Sequence, residues 1–111
     1  MQPFTEKVIG LIAAIPPGRV ASYGDIAAAA ESPRAARQVV RILHSMSTKY
    51  DLPWWRVVNK AGEISLTDEA SAQLQQQKLL AEAVEVDGAG RIRSLIECRL
   101  SPLELAILVE T

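Results

Sequence analysis

The stretch SYGDIAAAAESPRAARQVVRILHSM, residues 22–46, decides how the chain is read. Ser22 stands where a helix N-cap is wanted, and Asp25 falls in the first turn, where a carboxylate meets the positive end of the helix dipole. That helix runs through Ile26 and Ala27–Ala30, and Glu31-Ser32-Pro33 stops it and starts another. Ser32 is a good N-cap, and Pro33 at the first helical position lacks a donor that would be orphaned anyway. The second helix, Pro33 to about Met46, places Ala36, Val39, Val40, Leu43 and Met46 on one core-facing side. Arg34, Arg37, Arg41 and His44 recur at steps of three, four and three, a second stripe on roughly the opposite side. Three guanidiniums, with only Ala35 and Ala36 between the first two, suit close approach to a phosphate backbone. A solvated arginine face has the same pattern. Its place as the second helix of a tight helix–turn–helix favours nucleic acid.

Upstream, Phe4, Val8, Ile9, Leu11, Ile12 and Ile15 lie near one helical face, and Pro16-Pro17-Gly18 ends that helix. A short extended Arg19-Val20-Ala21 follows. Downstream, Arg56–Asn59 reads as a strand, Lys60–Gly62 as a turn and Glu63–Ser65 as the partner strand, the hairpin a winged helix–turn–helix needs. A Gln-rich helix from about Asp68 to Ala83 has Leu74, Leu79 and Leu80 as apolar anchors. Val84–Val86 is a short strand, residues 87–90 a turn, and Ser101-Pro102 opens a last helix carrying Leu103, Leu105, Ala106, Leu108 and Val109. The expected fold class is mainly α with a small β hairpin, one winged helix–turn–helix domain over residues 1–111.

The chain has 111 residues, 49% hydrophobic and 23% charged, which excludes a disordered or low-complexity scaffold. No apolar run approaches the roughly 18–20 residues that span a bilayer, so no membrane partner is expected, and the expected location is cytoplasmic, on the nucleoid in a bacterium. One cysteine, Cys98, and one histidine, His44, exclude an internal disulfide and a His/Cys zinc site; no metal or other cofactor is expected. Charge is segregated. Residues 1–62 carry eight basic and four acidic groups, residues 63–111 four basic and nine acidic. A polyanion approached from one side fits that split, as do charges scattered over a solvated surface.

Trp54 and Trp55 are adjacent, after a proline and before an arginine. Neighbours in an extended segment point to opposite sides, so one indole goes to the core and the other to a pocket or the surface. An indole in a cleft beside a basic helix is a platform for a nucleobase. Catalytic options are thin. Cys98 is far in sequence from His44, without the paired nucleophile and base that thiol chemistry needs. No Gly-rich phosphate loop is present, and the acidic residues are not clustered as a magnesium site requires. The residues alone read as a binding module.

Ile15-Pro16-Pro17-Gly18-Arg19-Val20-Ala21-Ser22-Tyr23-Gly24-Asp25-Ile26-Ala27, then Arg34-Ala35-Ala36-Arg37, then Pro53-Trp54-Trp55-Arg56-Val57-Val58 occur in that order. Together they resemble the DNA-binding domain of O6-alkylguanine-DNA alkyltransferases, and more closely the alkyltransferase-like proteins. The resemblance covers residue 4 to about 93 and leaves residues 94–111 as an uncovered tail. In the repair enzymes the third motif reads Pro-Cys-His-Arg, and its cysteine accepts the alkyl group. Here Trp54 stands at the cysteine and Trp55 at the histidine, so the resemblance implies lesion binding without transfer: not an enzyme.

It further implies that the second helix enters the minor groove, with Ala35 and Ala36 permitting close approach and Arg34 and Arg41 on the DNA. Arg37 resembles the finger that replaces an extruded nucleotide, and Tyr23 the tyrosine that crowds the 3′ phosphate. The extruded O6-alkylguanine would sit among Tyr23, Trp54, Trp55, Arg56, Val57, Val58 and Ser65, with Arg56 bracing the pocket and the loop around Ser65–Asp68 as a wall. The implied partners are double-stranded DNA containing O6-alkylguanine and nucleotide excision repair proteins, met by a monomer. Most alkyltransferase-like proteins keep the histidine that Trp55 replaces. Some place a basic residue in the lesion-facing loop, where this chain has Leu66-Thr67. The competing readings are a winged-helix transcription regulator, an active alkyltransferase using Cys98, and a structural adaptor.

Overall fold

The computed structural model describes residues 1–110. Six helices and two short strands follow in the order α1 (Pro3–Ala13), β1 (Ala21–Ser22), α2 (Tyr23–Ala29), α3 (Ala36–Met46), β2 (Val57–Val58), α4 (Glu69–Ala81), α5 (Leu95–Cys98) and α6 (Pro102–Glu110), with one 3-10 turn at Trp54–Arg56 before β2. The fold is mainly helical, as the periodicity predicts. Val8, Leu11 and Ile12 of α1, Ile26 and Ala27 of α2, Val39 and Leu43 of α3 and Leu105 of α6 close one core. A second core, formed by Val20, Val58, Leu79, Val84, Ile92 and Cys98, lies under α4 and the C-terminal loops. Among the described residues no helix is long and apolar enough to cross a membrane.

The expected hairpin forms differently. Asn59 and Glu63 do close a turn, the Asn59 N–H donating to the Glu63 carbonyl at 3.1 Å. The strand before it, however, pairs in parallel with β1, Ala21 opposite Val57 and Ser22 opposite Val58. Glu63 bridges instead to Arg91, and Val86 to Ile92. On its other side Val20 exchanges backbone bonds with Cys98 and Leu100 at 2.9 and 2.8 Å. The apolar runs Val20-Ala21 and Val57-Val58 are buried on both faces, as parallel strands are, and no local turn signal reveals that pairing.

Ser22 caps α2 as expected, its hydroxyl accepting from the Asp25 N–H at 3.1 Å. The helix ends in a Schellman motif: Glu31 takes a left-handed φ of 68°, its N–H reaches the Ala28 carbonyl and the Ser32 N–H reaches Ala27. The Ser32 N–H serves that stop, and the N-cap of α3 falls three residues later. The Ser32 carbonyl accepts from Ala35, and α3 begins at Ala36 rather than Pro33, with Ala35 at the N-cap and no side-chain cap bond. On α4 the inward face carries Leu79 and Gln75, one turn apart, and Leu74 and Leu80, each about 100° round the helix from them, are 44% and 61% exposed. They are not the anchors the composition predicts. Ser101 and Glu104 form a capping box that opens α6, each accepting the other's N–H at 3.1 and 3.0 Å.

Candidate nucleic-acid interface

Tyr23 leaves β1 as the first residue of α2, and Trp54 enters the 3-10 turn just before β2. Pairing of β1 with β2 therefore brings together two side chains 31 positions apart. With Val57 they line a cleft of about 480 Å³, completed by Val40, Leu43, His44 and Ser47 from α3 and its end, and by Leu66, Thr67, Asp68, Ser71 and Gln75 from the loop and helix opposite. That volume lies within the range of sites that hold a small molecule. Burial pushes the Tyr23 phenol above its usual value while a hydrogen bond with Ser65 pulls it back, so the hydroxyl is a neutral donor at physiological pH.

The two indoles part at right angles, centroids 6.0 Å apart. Trp54 faces the cleft. Trp55 is not among the cleft-lining residues: it packs against the second core, donates from Nε1 to Glu82 at 3.0 Å and lies beneath the Lys78 ammonium and the Arg56 guanidinium. Val58, buried in the same core, and Ser65, which touches Tyr23, also lie outside the cleft lining. Arg56 lies outside it too and acts as a brace. Its Nη1 donates to the Ile15 carbonyl at 2.8 Å, and Nε and Nη2 fork onto the Glu82 carboxylate. The pair is largely buried, with side chains 12% and 14% exposed. Burial raises the Glu82 pKa, but the bonds from Arg56, Trp55 and the Gly18 N–H outweigh it and hold the carboxyl below its ordinary value.

Gln75 forms the floor. Its Nε2 donates to the Trp55 and Val57 carbonyls at 3.1 and 3.0 Å, fixing the backbone that carries Trp54, and its Oε1 is buried without a partner. Neither Gln75 nor Glu82 is legible in the sequence: one lies in a run of glutamines, the other among exposed acids. Val40 and His44, one turn apart on α3, belong to the cleft. The sequence places Val40 in the core and His44 on the arginine stripe, and only the opposing α4 shows otherwise.

Arg34, Arg37 and Arg41 are exposed, and among the described residues none has a carboxylate within ion-pairing distance. Arg19, Arg56, Arg91 and Arg99 each hold one: Glu104, Glu82, Glu63 and Asp25. Four arginines away from α3 are thus paired internally, while the three along α3, like Arg93, stay open. The first turn of α3 carries no acidic residue, and its N-cap supplies no side-chain acceptor, so its N–H groups and dipole add to that field. Arg34 and Ala35 also border a shallow depression with Ser32, Pro33 and Gln38. Cys98 lies in the second core, and burial raises its thiol pKa, which disfavours the thiolate.

Residues 3–84 match the family described as 6-O-methylguanine DNA methyltransferase, DNA binding domain. The chain is 52% identical over 89 residues to the DNA base-flipping protein of Escherichia coli strain K12, a match covering 80% of this chain and 68% of the relative. It is 38% identical over 87 residues to alkyltransferase-like protein 1 of Schizosaccharomyces pombe, 78% and 81% of the two chains. Its structure is similar to that of the S. pombe alkyltransferase-like protein solved in complex with damaged DNA containing O6-carboxymethylguanine, with a TM-score of 0.78 and 35% identity over 92% of this chain and 98% of that one. With the Tyr23–Trp54 cleft beside an open arginine helix, these matches make the chain a member of the 6-O-methylguanine DNA methyltransferase DNA-binding-domain family, of the alkyltransferase-like kind.

Proposed function

We propose that the protein binds O6-alkylguanine in double-stranded DNA by turning the modified base out of the helix into the Tyr23–Trp54 cleft, without accepting the alkyl group. The observation that carries this reading is Trp54 itself. An indole forms the cleft wall at the position of the family's acceptor cysteine, so the site offers a flat apolar surface to a base and no thiol to take the alkyl group. The open arginines of α3 support phosphate contacts, and extrusion costs least for a poorly paired base, which favours a lesion over guanine. Within this reading Arg37 fills the vacated stack, Tyr23 donates to a phosphate, Arg34 and Arg41 neutralise the backbone, and Ala35 and Ala36 let α3 approach.

The protein then marks the lesion, as a monomer, for nucleotide excision repair. Glu85, Glu97 and Glu110 support a partner surface in the acidic half of the chain, since none takes part in an ion pair among the described residues. Glu82 does not belong to that surface, because Arg56 and Trp55 hold it inside.

The test is equilibrium binding, at one stated salt concentration, to two duplexes differing only in one O6-methylguanine for guanine, together with transfer assayed from labelled alkyl groups. Preference for the lesion duplex without label on the protein is expected. Equal affinity for both would leave a general DNA binder, and labelled protein would revive Cys98 as an acceptor.

A further inference from the structure

The lining of the cleft includes one carboxylate, Asp68, and no lysine or arginine; its other ionisable groups are Tyr23 and His44. Asp68 is the N-cap of α4, and one of its oxygens accepts both the Ser71 N–H at 3.0 Å and the Ser71 hydroxyl at 2.6 Å. The start of a 13-residue helix would ordinarily draw an anion. Here its donors at Ser71 are already turned onto a built-in anion, and Glu69 adds a second negative charge in the first turn. Those same bonds hold the Asp68 carboxyl below its ordinary value, so it stays charged at any pH suited to duplex DNA. On the remaining wall, Val40, Leu43, Trp54, Val57 and Leu66 present apolar surface.

We propose that Asp68 makes the cleft selective for the charge of the O6 substituent, admitting neutral alkyl groups and disfavouring those that end in a carboxylate. The inference rests on the reading of the cleft as a lesion pocket. Asp68 is exposed at the rim of the cleft, so water screens it; a ligand carboxylate a few ångströms away would still lose about fivefold in affinity. A carboxamide of the same size escapes that penalty and can donate to Asp68.

The experiment uses three lesions in one duplex sequence: O6-methylguanine, O6-carboxymethylguanine and its neutral isostere O6-carbamoylmethylguanine, with unmodified guanine as reference. The wild-type protein is expected to bind the carbamoylmethyl duplex about fivefold or more tightly than the carboxymethyl one. Asp68→Asn, which retains an N-capping oxygen, is expected to shrink that ratio at least threefold. Asp68→Ser, also a capping residue, serves if the asparagine variant does not fold. Equal wild-type affinity for the two isosteres, or a ratio unchanged by either variant, overturns the charge filter alone. Absence of any preference for O6-methylguanine over guanine overturns the lesion-pocket reading, and the filter with it.

Discussion

Replacing Glu82 by alanine removes no residue expected to touch DNA and is nonetheless predicted to be among the most destabilising single changes in the protein. Its carboxylate is the common acceptor for Arg56, the Trp55 indole N–H and the Gly18 N–H. With it gone, a guanidinium only 12% exposed keeps a single bond, to the Ile15 carbonyl, and an indole donor is orphaned. Breaking a buried ion pair on one side costs about 3–5 kcal/mol, and residual solvent access places this case near about 3. For 111 residues the unfolding entropy near the midpoint is about 0.23 kcal/mol/K, so the melting temperature should fall by about 13 °C. Thermal unfolding followed by circular dichroism measures this directly. Because the Glu82 pKa is depressed in the folded state, its contribution is complete above the ordinary carboxylate value and fades as pH falls through the folded one. The gap between wild type and variant should therefore be full at pH 7 and narrow progressively as pH falls below the ordinary carboxylate range. A drop of less than about 4 °C at pH 7, or a gap that widens in acid, would refute the claim that this pair is desolvated and braces the strand carrying Trp54.

Other consequences are as specific. Gln75→Leu leaves the Trp55 and Val57 carbonyls without their side-chain donor and should cost about 2 kcal/mol in urea unfolding, with a larger proportional loss of lesion affinity than of guanine-duplex affinity. Neutralising Arg34 or Arg41 should lower the slope of log K against log salt by about 0.9 if each meets one phosphate, weakening all duplexes alike; an unchanged slope would remove that arginine from the interface. Arg37→Ala should instead erode the preference for the lesion duplex. Gly10 lies in the middle of α1 with open space where a Cβ would go, so Gly10→Ala should stabilise by about 0.5–1 kcal/mol. Gly62→Ala should destabilise, because φ is +77° and the added methyl would meet the Leu95 side chain.

What the sequence determined by itself was local. Ser22 and Asp25 fix the start of α2, Pro16-Pro17-Gly18 ends the N-terminal helical run, the steps of three and four put the arginines on one stripe, and Ser101-Pro102 opens α6. Each of these depends on residues within one or two turns of one another, where capping, dipole and periodicity act without the rest of the chain. The ordered motifs also carried the family, because they record the fold in a form that needs no coordinates. The tertiary structure decided whatever required distant segments to meet. Val57-Val58 took β1 as a parallel partner over the nearby Glu63–Ser65, because burying both faces of two valines outweighs a short exposed hairpin. That pairing set Tyr23 beside Trp54 and sent Trp55 to Glu82. Gln75, Asp68 and Val40 entered the cleft for the same reason: a side chain's surroundings are fixed by what packs opposite it, and the element opposite lies tens of residues away.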